Sequence, residues 1–134
     1  MEVPEALEAP SPASQALRAT QMLVLADITP AVERYERLGL SRISTGDDGC
    51  VGMRAGETGV ILATAEFMAG DFGAEVTEVI LGRVINYLRV TSVDVAKANL
   101  SLDAAVLEDT ITRVGLREVL VEDQGEVLIL AELA

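Results

Sequence analysis

The chain has 134 residues, which suits one ordinary domain and excludes two large ones. Half of the residues are hydrophobic and 24% are charged, the balance of a chain that can bury a core. With 22 acidic against 10 basic residues the net charge is −12, which repels a phosphate backbone, and with no histidine every mechanism that needs an imidazole is excluded. Residues 1–18 are acidic and broken by Pro4, Pro10 and Pro12, so they read as a mobile tail rather than a signal peptide, and folding is expected from Ala19 onward.

From Thr20 the run TQMLVLA is a strand that ends at Asp27. Thr29 before Pro30 reads as an N-cap, and Val32, Tyr35 and Leu38 follow at helical spacing until Gly39. Leu40–Thr45, Cys50–Ala55 and Val60–Thr64 are three more strands, separated by the turn formers Gly46–Gly49 and Gly56–Gly59. Residues 65–84 are a connector in which Gly70, Asp71 and Gly73 break the chain before one helix over Ala74–Leu81. Ile85–Ser92 is a strand, Val95–Leu100 a brief helix, and Val106–Thr112, Leu116–Val121 and Val127–Glu132 are the last strands. Asp123-Gln124-Gly125 turns the final hairpin.

Each half therefore reads βαβββ, with module 1 at about 19–64 and module 2 at about 85–134. Asp94 lies 94 − 27 = 67 residues after Asp27, and Val127–Leu130 lies at the same offset from Val60–Ala63, the mark of an internal duplication. No stretch reaches the ~18 continuous apolar residues of a membrane span. One cysteine, Cys50, cannot form an internal disulfide, and it suits a reducing cytoplasm.

Two such modules, the first carrying Asp27-Ile28, then Ala31-Val32-Glu33-Arg34-Tyr35 and Leu38-Gly39-Leu40, resemble the vicinal oxygen chelate superfamily. That is the glyoxalase, bleomycin-resistance and extradiol dioxygenase group. Gly115-Leu116-Arg117-Glu118 and Val121-Glu122-Asp123-Gln124-Gly125 are similar to its Arg-Glu strand and closing hairpin, shortened by one residue. The likeness covers residues 19–133 and implies an α+β fold, a curved, partly open mixed sheet around a cavity with helices on its outer face. It also implies a homodimer that covers open sheet edges.

In metal-binding members of the group, one divalent ion is held by the first and last strand of each module. Carried over, those positions fall at Thr20, Leu62, Tyr87 and Ile129, none of which is His, Glu, Asp or Cys. The expectation is no metal at that site and no cofactor. Glu66 and Glu132 lie just past the equivalent strand ends, where a shifted register would bring them inward.

If Tyr87 faces the cavity, Ile85 and Arg89 face it too. Arg89 is then either a cation aimed at an anionic or carbonyl-bearing ligand, or an edge residue paired with a carboxylate. Tyr87 either stacks and donates to a ligand or packs in the sheet with its hydroxyl at the rim. Met22, Val24, Leu62, Thr64, Val127 and Ile129 complete the expected wall, either as an apolar pocket or as a filled core. Arg117 and Glu118 alternate, so one of them faces inward, and such a pair usually serves cross-strand pairing at a solvent face. Cys50 has no neighbouring base and reads as a passive thiol.

Three functions stay open. The first is metal-independent binding of a small molecule at Tyr87, Arg89, Met22, Thr64 and Ile129. The second is a metal-independent enzyme using Tyr87, Glu66 or Glu132 as acid or base, and the third is a non-catalytic interaction module whose pocket has collapsed.

Overall fold

The computed structural model describes residues 15–133. In chain order they form β1 (Ala16–Leu25), α1 (Thr29–Arg37), β2 (Ser41–Asp47), β3 (Cys50–Ala55), β4 (Thr58–Thr64), α2 (Ala65–Phe72), α3 (Ala74–Ile80), β5 (Val84–Val90), α4 (Val93–Ala98), β6 (Ala105–Ile111), β7 (Leu116–Asp123) and β8 (Glu126–Leu133). The strands make one mixed sheet in the order β2-β3-β4-β1-β5-β8-β7-β6, an α+β arrangement. Of the tail expected over 1–18, residues 1–14 lie outside the described residues. Ala16–Arg18 belong to β1, because they pair with the end of β5.

Each half runs βαβββ, and in each the first strand lies parallel to the last, β1 with β4 and β5 with β8. The halves join within one chain through an antiparallel β1–β5 seam, where Thr20 is opposite Tyr87 and Met22 opposite Ile85. The duplication does not keep one offset, however. Met22 pairs with Ile61 (61 − 22 = 39), whereas Tyr87 pairs with Ile129 (129 − 87 = 42). A difference of three is odd, so equivalent positions on β4 and β8 swap faces.

The caps show the same drift. Thr29 is not the N-cap of α1: Ile28 occupies that position without a side-chain bond, and Asp27 Oδ1 accepts from the Thr29 amide at 2.9 Å. In α4 the cap is Ser92, whose hydroxyl accepts from the Val95 amide, and Asp94 sits inside the first turn. Asp27 and Asp94 are therefore not structural equivalents. The turn after β2 is also shorter than expected, since Gly46 remains in the strand and Asp48-Gly49 reverse the chain. The last hairpin turns on Gln124 and Gly125, with φ of 55° and 85°, the left-handed pair that a two-residue turn matched to sheet twist requires.

Three clusters divide the core. On one face of the sheet α1 packs Ile28, Ala31 and Val32 against Val51, Met53 and Leu62. On the same face α4 packs Val93 against Val90, Val119, Val121 and Leu130. The opposite face is covered by the connector, which holds two helices rather than one. Met68 and Phe72 of α2 and Ile80 of α3 bury Met22, Val24, Ile85, Leu120, Val127 and Ile129. Not all helices lie on the outer face, because α2 and α3 bury Met68, Phe72 and Ile80 against the side of the sheet that α1 and α4 leave uncovered. Among the described residues no helix is long and apolar enough to cross a membrane.

Candidate functional site

Where α2–α3 stop covering the sheet, a cavity of about 480 Å³ remains over the β1–β5 seam, within the usual size of small-molecule sites. Alternation along the strands sets its wall. Arg18, Thr20 and Met22 of β1 and Tyr87 and Arg89 of β5 all point into it, as does Ile61 of β4. Phe67, Met68 and Phe72 of α2 close the apolar side. A more open groove continues from Arg18, Thr20 and Ile61 past Gly52 and Gly59.

Met22, Tyr87 and Arg89 thus line the cavity, whereas Leu62, Thr64, Ile129, Val24 and Val127 of the expected wall do not. Leu62 is fully buried on the opposite face with α1, a consequence of the three-residue register difference, and Ile61 takes its place. Thr64 ends β4, and its hydroxyl caps α2 by accepting from the Phe67 amide at 3.0 Å. Ile129 has no exposure and packs under Tyr87 as part of the core, as Val24 and Val127 pack under the connector. Glu66 is exposed in the first turn of α2. Glu132 accepts from the Val93 amide at the start of α4, away from the cavity.

The buried carboxylate of the cavity is Glu118. On β7 it faces inward with 8% exposure, whereas Arg117 faces outward and pairs with Asp109 at 2.8 Å and Asp94 at 3.0 Å. The expected solvent-face pairing therefore holds for Arg117 alone. Tyr87 donates a hydrogen bond from its phenol to Glu118 Oε2, and no described partner occupies Oε1. Burial pushes the Glu118 carboxyl above the usual carboxylate range, against the opposing Tyr87 hydrogen bond, and the charge of Asp71 adds to the rise. Burial and the adjoining Glu118 carboxylate raise the Tyr87 phenol as well, so it stays protonated. The position was visible in the sequence as an acid whose alternate neighbours, Leu116 and Leu120, are apolar.

Two cations meet at the other end. Arg18 and Arg89 are directly opposite each other across the seam, and no ion pair or hydrogen bond among the described residues engages either guanidinium. Arg113 is different. It donates to the Phe67 carbonyl at 2.7 Å, pairs with Asp71 at 3.3 Å and lies 4.6 Å from the Phe67 ring centre, clasping the β6–β7 loop to α2. Cys50 also borders the cavity, and burial raises its thiol above the usual range, which disfavours the thiolate form.

No protein-family model and no curated protein matches the chain. Among solved structures, a glyoxalase/bleomycin resistance protein/dioxygenase superfamily member from Vibrio splendidus 12B01 is similar over 88% of this chain and 99% of its own. The identity is 13% and the TM-score 0.52. The chain has the glyoxalase/bleomycin resistance/dioxygenase fold. Two further solved structures match at lower TM-scores. A hypothetical protein from Methanosarcina mazei is 20% identical over 90% of this chain and 94% of its own, with a TM-score of 0.46. A bleomycin-binding protein from bleomycin-producing Streptomyces verticillus, complexed with copper(II)-bleomycin, is 18% identical over 86% and 93%, with a TM-score of 0.35.

The divalent ion of metal-binding proteins with the glyoxalase/bleomycin resistance/dioxygenase fold does not suit these donors. The inward positions at the seam and its flanking strands are Thr20, Ile61, Tyr87 and Ile129, and Glu118 is the one buried carboxylate nearby. Among the described residues no three His, Cys, Asp or Glu side chains converge. A hard cation needs several charged oxygen ligands free to converge, and of the carboxyls bordering this cavity Glu118 is engaged by Tyr87 and Asp47 and Asp71 are paired with Arg113.

Proposed function

We propose that the protein binds a small molecule in the cavity over the β1–β5 seam, without a metal. One observation carries this reading: the cavity has an apolar wall with polar groups converging on it, Tyr87, Glu118, Arg18 and Arg89, rather than a filled interior. A sequestering or resistance role follows from such binding. The test is calorimetry after a thermal-shift screen of small carbonyl compounds, carboxylates and cationic antibiotics, with divalent metals and EDTA as controls. A ligand at 100 times its dissociation constant adds about 2.7 kcal/mol, a shift of several degrees for this size. Arg89→Ala is expected to abolish binding while leaving the fold intact, and unchanged affinity would remove Arg89 from the site.

A second reading, a metal-independent enzyme, is favoured by one feature. Glu118 combines burial, a raised pKa and a phenol partner, which is how a carboxyl is held as a general acid. Turnover of a bound carbonyl compound that Glu118→Gln eliminates without loss of affinity would establish it.

We further infer a homodimer in a reducing, cytoplasmic compartment. Edge strand β6 exposes Val106 and Ile111, and a paired edge would cover them. Light scattering on the purified chain gives the mass directly, and a monomer would end that inference.

A further inference from the structure

Arg18 and Arg89 face each other on neighbouring strands, on the side of the sheet that lines the cavity. Side chains directly opposite in an antiparallel pair stand about 5 Å apart at Cβ, and like charges there are destabilising. The chain has 22 carboxylates available to relieve that repulsion, and among the described residues none reaches either guanidinium. Arg113, Arg117 and Arg83 each have a carboxylate partner. Arg34, Arg37, Arg42 and Arg54 have no carboxylate partner among the described residues either, but of the arginines without one only Arg18 and Arg89 line this cavity.

We propose that the Arg18–Arg89 pair is a carboxylate clasp, and that the ligand of this cavity is a small apolar molecule bearing one carboxylate. This rests on the small-molecule reading above and adds the ligand's class. Two planar guanidinium forks side by side match the two oxygens of a carboxylate in a way that a point charge does not. The rest of the cavity sets the remaining requirements. Met22, Ile61, Phe67, Met68 and Phe72 take an apolar body. Asp47, Asp71 and Glu118 also border the space, within a chain of net charge −12, so a single negative charge is accepted and a second is opposed. Glu118 Oε1, free of any described partner, is left to meet a hydroxyl or carbonyl on the ligand's far side.

The experiment uses four matched probes on the full chain at low salt: 4-phenylbutyrate, 4-phenylbutyramide, 4-phenylbutylamine and phenethyl phosphate. Calorimetry is expected to show the carboxylate binding at least tenfold more tightly than each of the others. Arg18→Gln and Arg89→Gln should each remove most of that preference, with the double variant little worse than either single one. A second measurement needs no ligand. Because Arg18 and Arg89 set like charges directly opposite each other, Arg89→Gln is expected to raise the melting temperature by about 1–4 °C.

Equal or tighter binding of the amide or the amine overturns the clasp and leaves the cavity reading standing. Tighter binding of the phosphate overturns the choice of a monoanion. If all four probes are silent and Arg89→Gln melts lower than the parent, Arg89 is a structural residue and the clasp is wrong. The small-molecule reading would then still be judged by its own wider screen.

Discussion

The phenol of Tyr87 on β5 donates to Glu118 on β7 across the whole width of β8, which lies between them. The bond therefore ties the seam strand to the outer part of the second module, and it does so beneath the cavity. Removing the donor strands a buried carboxyl. Tyr87→Phe is expected to lower stability by about 1–3 kcal/mol in urea unfolding, whereas Glu118→Gln, which keeps an acceptor, should cost less.

Glu118 also dictates a pH dependence. Its folded pKa is raised above the ordinary 4.5, so between 4.5 and the raised value the folded chain keeps a proton that the unfolded chain has lost. That contribution is fully present below pH 4.5 and disappears as pH rises through the folded value. The stability advantage of the parent over Glu118→Gln should shrink from pH 4.5 to 8, by up to about 1.4 kcal/mol per pH unit within the window. A constant difference across that range would show that Glu118 is ionised when buried.

The adjacent residue should behave oppositely. Arg117 bridges Asp94 and Asp109 in a partly exposed setting, with the Asp94 side chain 74% accessible. Solvent screening limits such pairs, and Arg117→Ala is expected to cost less than about 1 kcal/mol, declining further in 0.5 M salt. Denaturation at two salt concentrations separates the two neighbours.

Arg113 and Gly70 make a different test. A Cβ on Gly70 would fall 2.3 Å from Arg113 Nη2, so the glycine gives the guanidinium its seat on α2. Gly70→Ala improves intrinsic helix propensity yet must push Arg113 off the Phe67 carbonyl and Asp71. Both Gly70→Ala and Arg113→Ala are expected to destabilise by about 1–2 kcal/mol and to speed amide exchange in α2. A stabilising Gly70→Ala would show that the clasp contributes little.

Cys50 reports on the cavity. Its thiol is 8% exposed and raised in pKa, so alkylation at pH 8 should be at least tenfold slower in the folded than in the urea-unfolded chain. A cavity ligand should slow it further, since Cys50 borders the same space. Labelling followed by mass spectrometry reads both effects.

Local patterning carried much of this into view. The alternation of Thr20 with Met22, and of Tyr87 with Arg89, places those side chains on one face whatever the rest of the sheet does. What escaped depends on pairing between distant strands. Whether Leu62 or Ile61 faces the cavity is decided by a 39-residue or a 42-residue separation to the partner strand, and nothing in VILAT itself records which. Gly70 looks like a helix breaker until Arg113, 43 residues later, is seen lying over it (113 − 70 = 43). Glu118 looks like half of a surface pair until Tyr87 is seen reaching it.

The seam also governs how the chain assembles. β1 is made first, yet it sits between β4 and β5 in the finished sheet, and its β5 side stays bare until the second half has emerged from the ribosome. During synthesis the nascent first half presents Met22 and Val24 on a strand with one bare edge and no connector helices above them. A polypeptide cut after Thr64 is thus an open template for itself, and it should associate through β1 rather than fold as a smaller version of the whole.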